Sequence, residues 1–147
     1  MPSLGPSANL DSLCCARERL RRLTTLSLVA LGGAIGASLR VLTGVGVLRM
    51  FGPSDFPLAI ITVNVIGSFL MGVFVVAAAQ RGLTHLSPFV MTGVLGGFTT
   101  FSAFSLETMT LIERGQITSA MLYVGLSVGL SVGGLALGLI AARSAFV

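Results

Sequence analysis

Residues 56–80 read FPLAIITVNVIGSFLMGVFVVAAAQ, a run from Phe56 to Gln80 without Asp, Glu, Lys, Arg or His. The hydrocarbon core of a bilayer is about 30 Å thick and is crossed by about 20 apolar residues in helical form. This one stretch is therefore long enough to span a membrane. A spanning strand would alternate apolar and polar residues, whereas this run is apolar in both registers, so a helix is predicted and a barrel is rejected.

Working outward, three more runs of the same kind appear. Leu23 to Leu48 is interrupted only by Arg40. Gly82 to Leu106 continues toward Glu113, and Gly115 to Ala142 carries no charge. The predicted spans are about 24–49, 56–80, 86–112 and 116–142. Their connections are short and carry turn residues: Phe51-Gly52-Pro53-Ser54-Asp55, Arg81-Gly82 with Ser87-Pro88, and Glu113-Arg114-Gly115. The whole chain fits this reading, with 54% hydrophobic and 10% charged residues and a mean hydropathy of +0.97, against roughly a quarter charged in a soluble domain. An all-α, four-span, up-down bundle is expected over residues 23–147.

Residues 1–22 differ in composition. They contain Ser, Pro and Gly, then Arg17, Arg19, Arg21 and Arg22, and are expected to form a flexible basic arm. A signal peptide ending near Ala34-Ile35-Gly36 is the second reading, disfavoured by its long leading segment. Adjacent Cys14 and Cys15 suggest neither a disulfide framework nor a metal site. Six arginines fall on the side of both termini (four in the arm, Arg81 and Arg143), against Arg49 and Arg114 opposite, so the termini are expected in the cytoplasm. Without the arm the count is two against two. No basic patch interleaved with aromatics occurs outside the arm, so nucleic-acid binding is not expected despite the net charge of +4.

Lipid gives helices no hydrophobic reason to associate, so small residues must let backbones approach. Gly32 and Gly36 recur at i, i+4 in the first span, and Gly125, Gly129 and Gly133 at i, i+4, i+8 in the fourth. Polar groups at membrane depth are costly and mark pathways or internal pairs. Arg40 is one; Asn64 and Ser68 share a face of the second span; Tyr123, Ser127 and Ser131 share a face of the fourth, about 200° from its glycines at roughly 100° per residue. A single Ser hydroxyl commonly bonds back to the i−4 carbonyl, but three in register point to a polar track.

The third span holds the densest signal: Gly96-Gly97-Phe98-Thr99-Thr100-Phe101-Ser102-Ala103-Phe104-Ser105. Two glycines and two β-branched threonines weaken the helix there, and a break is predicted at mid-membrane. Freed peptide groups are tolerated in lipid only where protein buries them or an ion or water meets them, and broken helices mark transport sites. Carbonyls would suit a cation; amides and hydroxyls would suit an anion. Donors from three helices, the rings of Phe101 and Phe104, Arg40, and the lack of a carboxylate in the first, second and fourth spans favour an anion.

These motifs resemble the Fluc/CrcB fluoride channel family. Gly32 through Arg40 is similar to its opening glycine-rich stretch, Val63-Asn64-Val65-Ile66-Gly67-Ser68-Phe69 to its second-helix signature, and Gly96 through Glu107 to its third-helix signature. The likeness covers about Leu31 to Ala142. It implies passive export of cytoplasmic fluoride by an antiparallel dual-topology dimer with two narrow pores in the bacterial inner membrane, with a structural sodium ion at the dimer interface. By that resemblance Gly96 and Thr99 would hold sodium through their carbonyls. Phe101 and Phe104 would present ring edges to fluoride, Asn64 would donate to it, and Thr100, Ser102, Tyr123, Ser127 and Ser131 would complete the pathway. Arg40 would raise the anion concentration at a pore mouth or support the dimer.

Two departures stand out. Ala59 and Ile60 occupy positions where the family often has Gly-Thr, and the four-arginine arm works against insertion in both orientations. The partner is thus a second copy or an oppositely oriented paralogue. A small multidrug-type proton antiporter would need a buried carboxylate early in the chain, and the only acids near a span are Glu107 and Glu113. A purely structural membrane protein would not need clustered donors. An enzyme is not expected, because His85, the only histidine, has no evident partner for acid-base or nucleophilic work.

Overall fold

A computed structural model describes residues 6–146, and every regular element among them is helical. Helix α1 (Pro6–Phe51) is followed by α2 (Leu58–Arg81), a 3-10 turn (Thr84–Leu86), a π-helix (Pro88–Leu95), the single turn α3 (Gly96–Phe98), α4 (Phe101–Glu113) and α5 (Ile117–Phe146). Among the described residues, four helical stretches are long and apolar enough to cross a membrane: Cys15–Phe51, Leu58–Arg81, Thr84–Glu113 and Ile117–Phe146. The third is the composite one. It bends near residue 87, where the 3-10 turn gives way to π-helix, and it is broken at Thr99 and Thr100.

The arm expected over residues 1–22 is helical wherever it is described, continuing α1 back to Pro6; residues 1–5 lie outside the described residues. The local reason is plain. Pro6 stands at a first helical position, where its missing N–H costs nothing. No other proline or glycine interrupts the chain before Gly32, and Glu18 and Arg22 pair at 3.9 Å across one turn. Cys15 is an exposed free thiol.

Reversals between spans sit at Gly52, Gly82 and Gly115, each with φ between 67° and 75°, a region that residues with a Cβ rarely adopt. They place the connection after α1 beside that after α4, where Asp55 and Arg114 approach to 3.6 Å. At the other end the Arg81 guanidinium lies 4.6 Å from the centre of the Phe146 ring.

The spans pack as two glycine-mediated pairs. In the first, α1 lies against the π-helix and α3. A methyl group on Gly32 would sit 2.5 Å from the Phe89 carbonyl oxygen, and one on Gly36 would sit 2.8 Å from the Phe98 nitrogen. One on Gly97 would sit 2.7 Å from the Gly33 carbonyl oxygen. In the second pair α2 meets α5, where a methyl on Gly72 would lie 2.9 Å from the Leu139 nitrogen and one on Gly134 3.2 Å from the Val65 carbonyl oxygen. The α1 glycines thus pack as the sequence suggests. Gly125, Gly129 and Gly133 do not: a methyl on any of them meets nothing within 4 Å, and the face of α5 used inside the chain is the one bearing Gly134 and Gly138.

Candidate functional site

The break is one extended dipeptide. Thr99 has φ −75° and ψ 157°, and Thr100 has φ −151° and ψ 121°. An extended residue cannot carry the i to i−4 ladder forward, so each peptide group around it needs another partner. Asn64 on α2 provides two of these. Its side-chain oxygen accepts from the Thr100 N–H at 2.8 Å, and its Nδ2 donates to the Thr100 carbonyl at 3.1 Å. Both polar groups of one unwound residue are thereby satisfied by one side chain. Gly67, three residues on and on the same face of α2, lets the break approach; a methyl there would lie 3.1 Å from the Phe98 ring.

Thr100 also starts α4. Its hydroxyl oxygen accepts from the Ala103 N–H at 3.2 Å and lies 3.2 Å from the Ser102 hydroxyl, the arrangement of a helix N-cap. Thr99 closes the preceding segment, with its N–H and its hydroxyl each donating to the Leu95 carbonyl at 3.0 Å. The break takes helical donors away from the carbonyls around it, those of Gly96 and Thr99 among them. The Thr100 N–H that would serve Gly96 goes to Asn64, and the Ala103 N–H that would serve Thr99 goes to the Thr100 hydroxyl.

A cavity of about 360 Å³ opens beside the break between α2, α4 and α5. It is lined by Asn64, Gly67, Ser68 and Met71 from α2, by Thr99, Thr100, Phe101 and Phe104 from the broken span, and by Ser127, Val128, Ser131, Val132 and Leu135 from α5. The walls are apolar, with hydroxyls, an amide and two phenyl rings set into them, and no carboxylate is among the lining residues. A row of rings runs behind it. Phe101 and Phe104 have centroids 5.4 Å apart at 42°, Phe104 and Tyr123 are 5.4 Å apart at 34°, and Tyr123 meets Phe56 edge-to-face at 5.9 Å and 89°.

The residues singled out in the sequence come together to differing degrees. Asn64, Thr99, Thr100, Phe101, Phe104, Ser127 and Ser131 line the cavity. Tyr123 is fully buried behind Phe104, and its hydroxyl and that of Ser127 have no hydrogen-bond partner among the described residues. Ser127 therefore does not bond back to its own helix, unlike Ser38 and Ser105. Ser102 and Gly96 are exposed, and Phe101 is 78% exposed although its ring edges the cavity. Arg40 is half-buried on α1, is not a lining residue, and enters no ion pair among the described residues. Ala59 and Ile60 also lie outside the lining. Sequence reasoning passed over Gly67, whose place at i+3 from Asn64 and one before Ser68 was the available signal, and Phe56, which had none.

A family model described as CrcB-like protein, Camphor Resistance (CrcB) matches residues 27–139. A fluoride-specific ion channel FluC from Ruegeria sp. (strain TM1040) is 69% identical over 121 residues, covering 82% of this chain and 96% of the relative. One of the same description from Roseobacter denitrificans is 68% identical over 126 residues, 85% of this chain and 100% of the relative. A third, from Jannaschia sp. (strain CCS1), is 71% identical over 103 residues, 67% of this chain and 98% of the relative.

Proposed function

We propose, for a chain that belongs to the CrcB family and is a multi-pass, fluoride-specific ion channel rather than an enzyme, that two copies lie antiparallel and that fluoride passes beside the break in the third span. The observation that carries this reading is the Thr99–Thr100 break, held open by Asn64 and facing a cavity with donors but no lining carboxylate.

Fluoride is small and strongly hydrated, so a pore must offer donors in place of its water while staying narrow. Asn64 has two N–H groups on Nδ2, and one bonds the Thr100 carbonyl. The other is free to donate toward the cavity. Ser127 and Ser131, a turn apart on α5, supply hydroxyl donors along the same wall; Ser102 and Tyr123, which lie outside the lining, would continue the track beyond it. Phe101 and Phe104 contribute ring edges, which carry the positive end of the aromatic quadrupole. The absence of a carboxylate from this wall supports an anion over the proton-coupled exchange of a lipophilic cation.

The carbonyls of Gly96 and Thr99, stripped of their helical donors, are hard oxygen ligands of the kind a sodium ion takes. They would hold it where two copies meet. Such an ion supplies positive potential and neutralises converging carbonyl dipoles. Three features support a second copy: the open glycine face of α5, the exposure of Phe101, and the exposure of Gly96. Arg40, half-buried and without an acidic partner among the described residues, adds positive potential at the level of α1.

Hydrogen fluoride crosses lipid as a neutral acid and ionises at cytoplasmic pH. A passive anion pore in the inner membrane then lets the inside-negative potential drive the trapped ion out, which relieves toxicity. The test is fluoride-electrode recording of efflux from liposomes containing the purified protein. Efflux that is selective for fluoride over chloride is expected, and efflux no faster than from protein-free vesicles would overturn the reading.

A further inference from the structure

We propose that Arg17, Arg19, Arg21 and Arg22 form a collar on α1 that binds the headgroups of anionic phospholipids in the leaflet facing the chain termini. This rests on the arm and not on the permeation pathway.

The collar follows from the continuity of α1. Because the helix runs unbroken from Pro6 to Phe51, the arginines stand at a fixed height above the first apolar turns of the span. At about 1.5 Å per residue, Arg17 to Arg22 occupies about 7.5 Å of helix axis. That is close to the depth of one headgroup layer, roughly 5–8 Å on each side of the hydrocarbon. At about 100° per residue the four arginines fall near 0°, 200°, 40° and 140°, so they cover a little over half of the helix circumference rather than forming one narrow stripe. All four are exposed.

Their surroundings fit lipid better than a polyanion in water. Leu13, Leu20, Leu23 and Leu26 are 61–66% exposed in and beside the collar, an interleaving of apolar and cationic side chains suited to the boundary between acyl chains and phosphates. Arg21, Arg22, Thr25 and Leu26 line one open cleft there together with Glu18. Glu18 is drawn toward Arg22 at 3.9 Å, and the other three arginines have no acidic partner among the described residues. A guanidinium can bind phosphate oxygens through two parallel N–H groups. Cationic residues at an anionic membrane surface strengthen attachment by roughly five-fold each.

The experiment is native mass spectrometry of the full-length protein released from mixed phosphatidylglycerol and phosphatidylcholine micelles. The fully substituted variant R17Q/R19Q/R21Q/R22Q and a charge control at the opposite end, R49Q/R114Q, are measured beside the wild type. The wild type and the control should retain phosphatidylglycerol in preference to phosphatidylcholine, and the collar variant should lose at least ten-fold of that preference. Fluoride efflux from each preparation reports that the bundle is intact. Equal retention of the two lipids by the wild type, an unchanged preference in the collar variant, or an equal loss in the control would each overturn the proposal. So would a single-stranded oligonucleotide that displaces the lipid at equal concentration.

Discussion

Replacing Asn64 by Ala removes the one side chain that serves both polar groups of the Thr100 peptide. Left buried and unpaired, a donor and an acceptor cost about 1–3 kcal/mol each, so the broken conformation loses about 2–6 kcal/mol. The lower figure applies if cavity water replaces the amide. Even 2 kcal/mol shifts a conformational equilibrium roughly 30-fold, since 1.4 kcal/mol is a factor of ten. The span can recover by rewinding through Thr99 and Thr100, which restores ladder bonds but re-aims Phe101 and Phe104. Fluoride efflux should therefore fall by at least ten-fold, and the temperature at which the detergent-solubilised protein aggregates should drop. Asn64→Asp separates the two bonds. It keeps an acceptor for the Thr100 N–H but sets an oxygen against the Thr100 carbonyl and a negative charge beside the cavity, so efflux should be lost more completely than stability. An N64A protein with wild-type efflux and wild-type thermal stability would refute the idea that Asn64 holds the break.

Phe101→Ile should abolish most fluoride efflux while changing the stability of the chain by less than about 0.5 kcal/mol, because the ring is exposed within the chain; circular dichroism melts and electrode recordings check both halves. Phe104→Ile should lower both, since Phe104 stacks on Tyr123 and such ring pairs contribute about 0.5–1.5 kcal/mol beyond their area. Gly36→Ala should destabilise the bundle by about 1–3 kcal/mol, the cost of overpacking, as its methyl would press on the backbone at Val94 and Phe98. Gly129→Ala should leave the chain's own fold intact and instead weaken dimerisation, measured by single-molecule photobleaching in liposomes. Replacing sodium by a bulky organic cation during reconstitution should reduce efflux, with recovery when sodium is restored.

Much of the architecture was legible because lipid makes composition and length decisive. The charge-free run from Phe56 to Gln80 corresponds to α2, which ends one residue later at Arg81. The Gly96–Ser105 stretch announced a break through residue types that helices tolerate poorly, and the break falls at its two threonines. What the breakdown is fastened to was not legible. The Asn64 to Thr100 contact joins residues 36 apart, and no periodicity reports which atom of an amide faces which peptide group. The helical state of the arm was missed because Ser, Pro and Gly near its start suggested irregular chain, whereas residues 7–31 contain no breaker. The glycines of α5 misled for a related reason: a smooth face says that a backbone can approach, not whether it belongs to the same chain. Tyr123 was placed on the track by its spacing and by the family resemblance; which side chain would cover it was not legible, and tertiary packing buries it behind Phe104.

The amide clasp also acts as a gauge between two spans. Because Asn64 grips a single peptide unit, deleting or adding one residue above it in α2, or between Pro88 and Thr100, would rotate one partner by about 100° and release the grip. A change in length should therefore be borne better by the Gly82–Ser87 reversal and the other connections than by these stretches. Within them, a substitution keeps the register that an insertion would break.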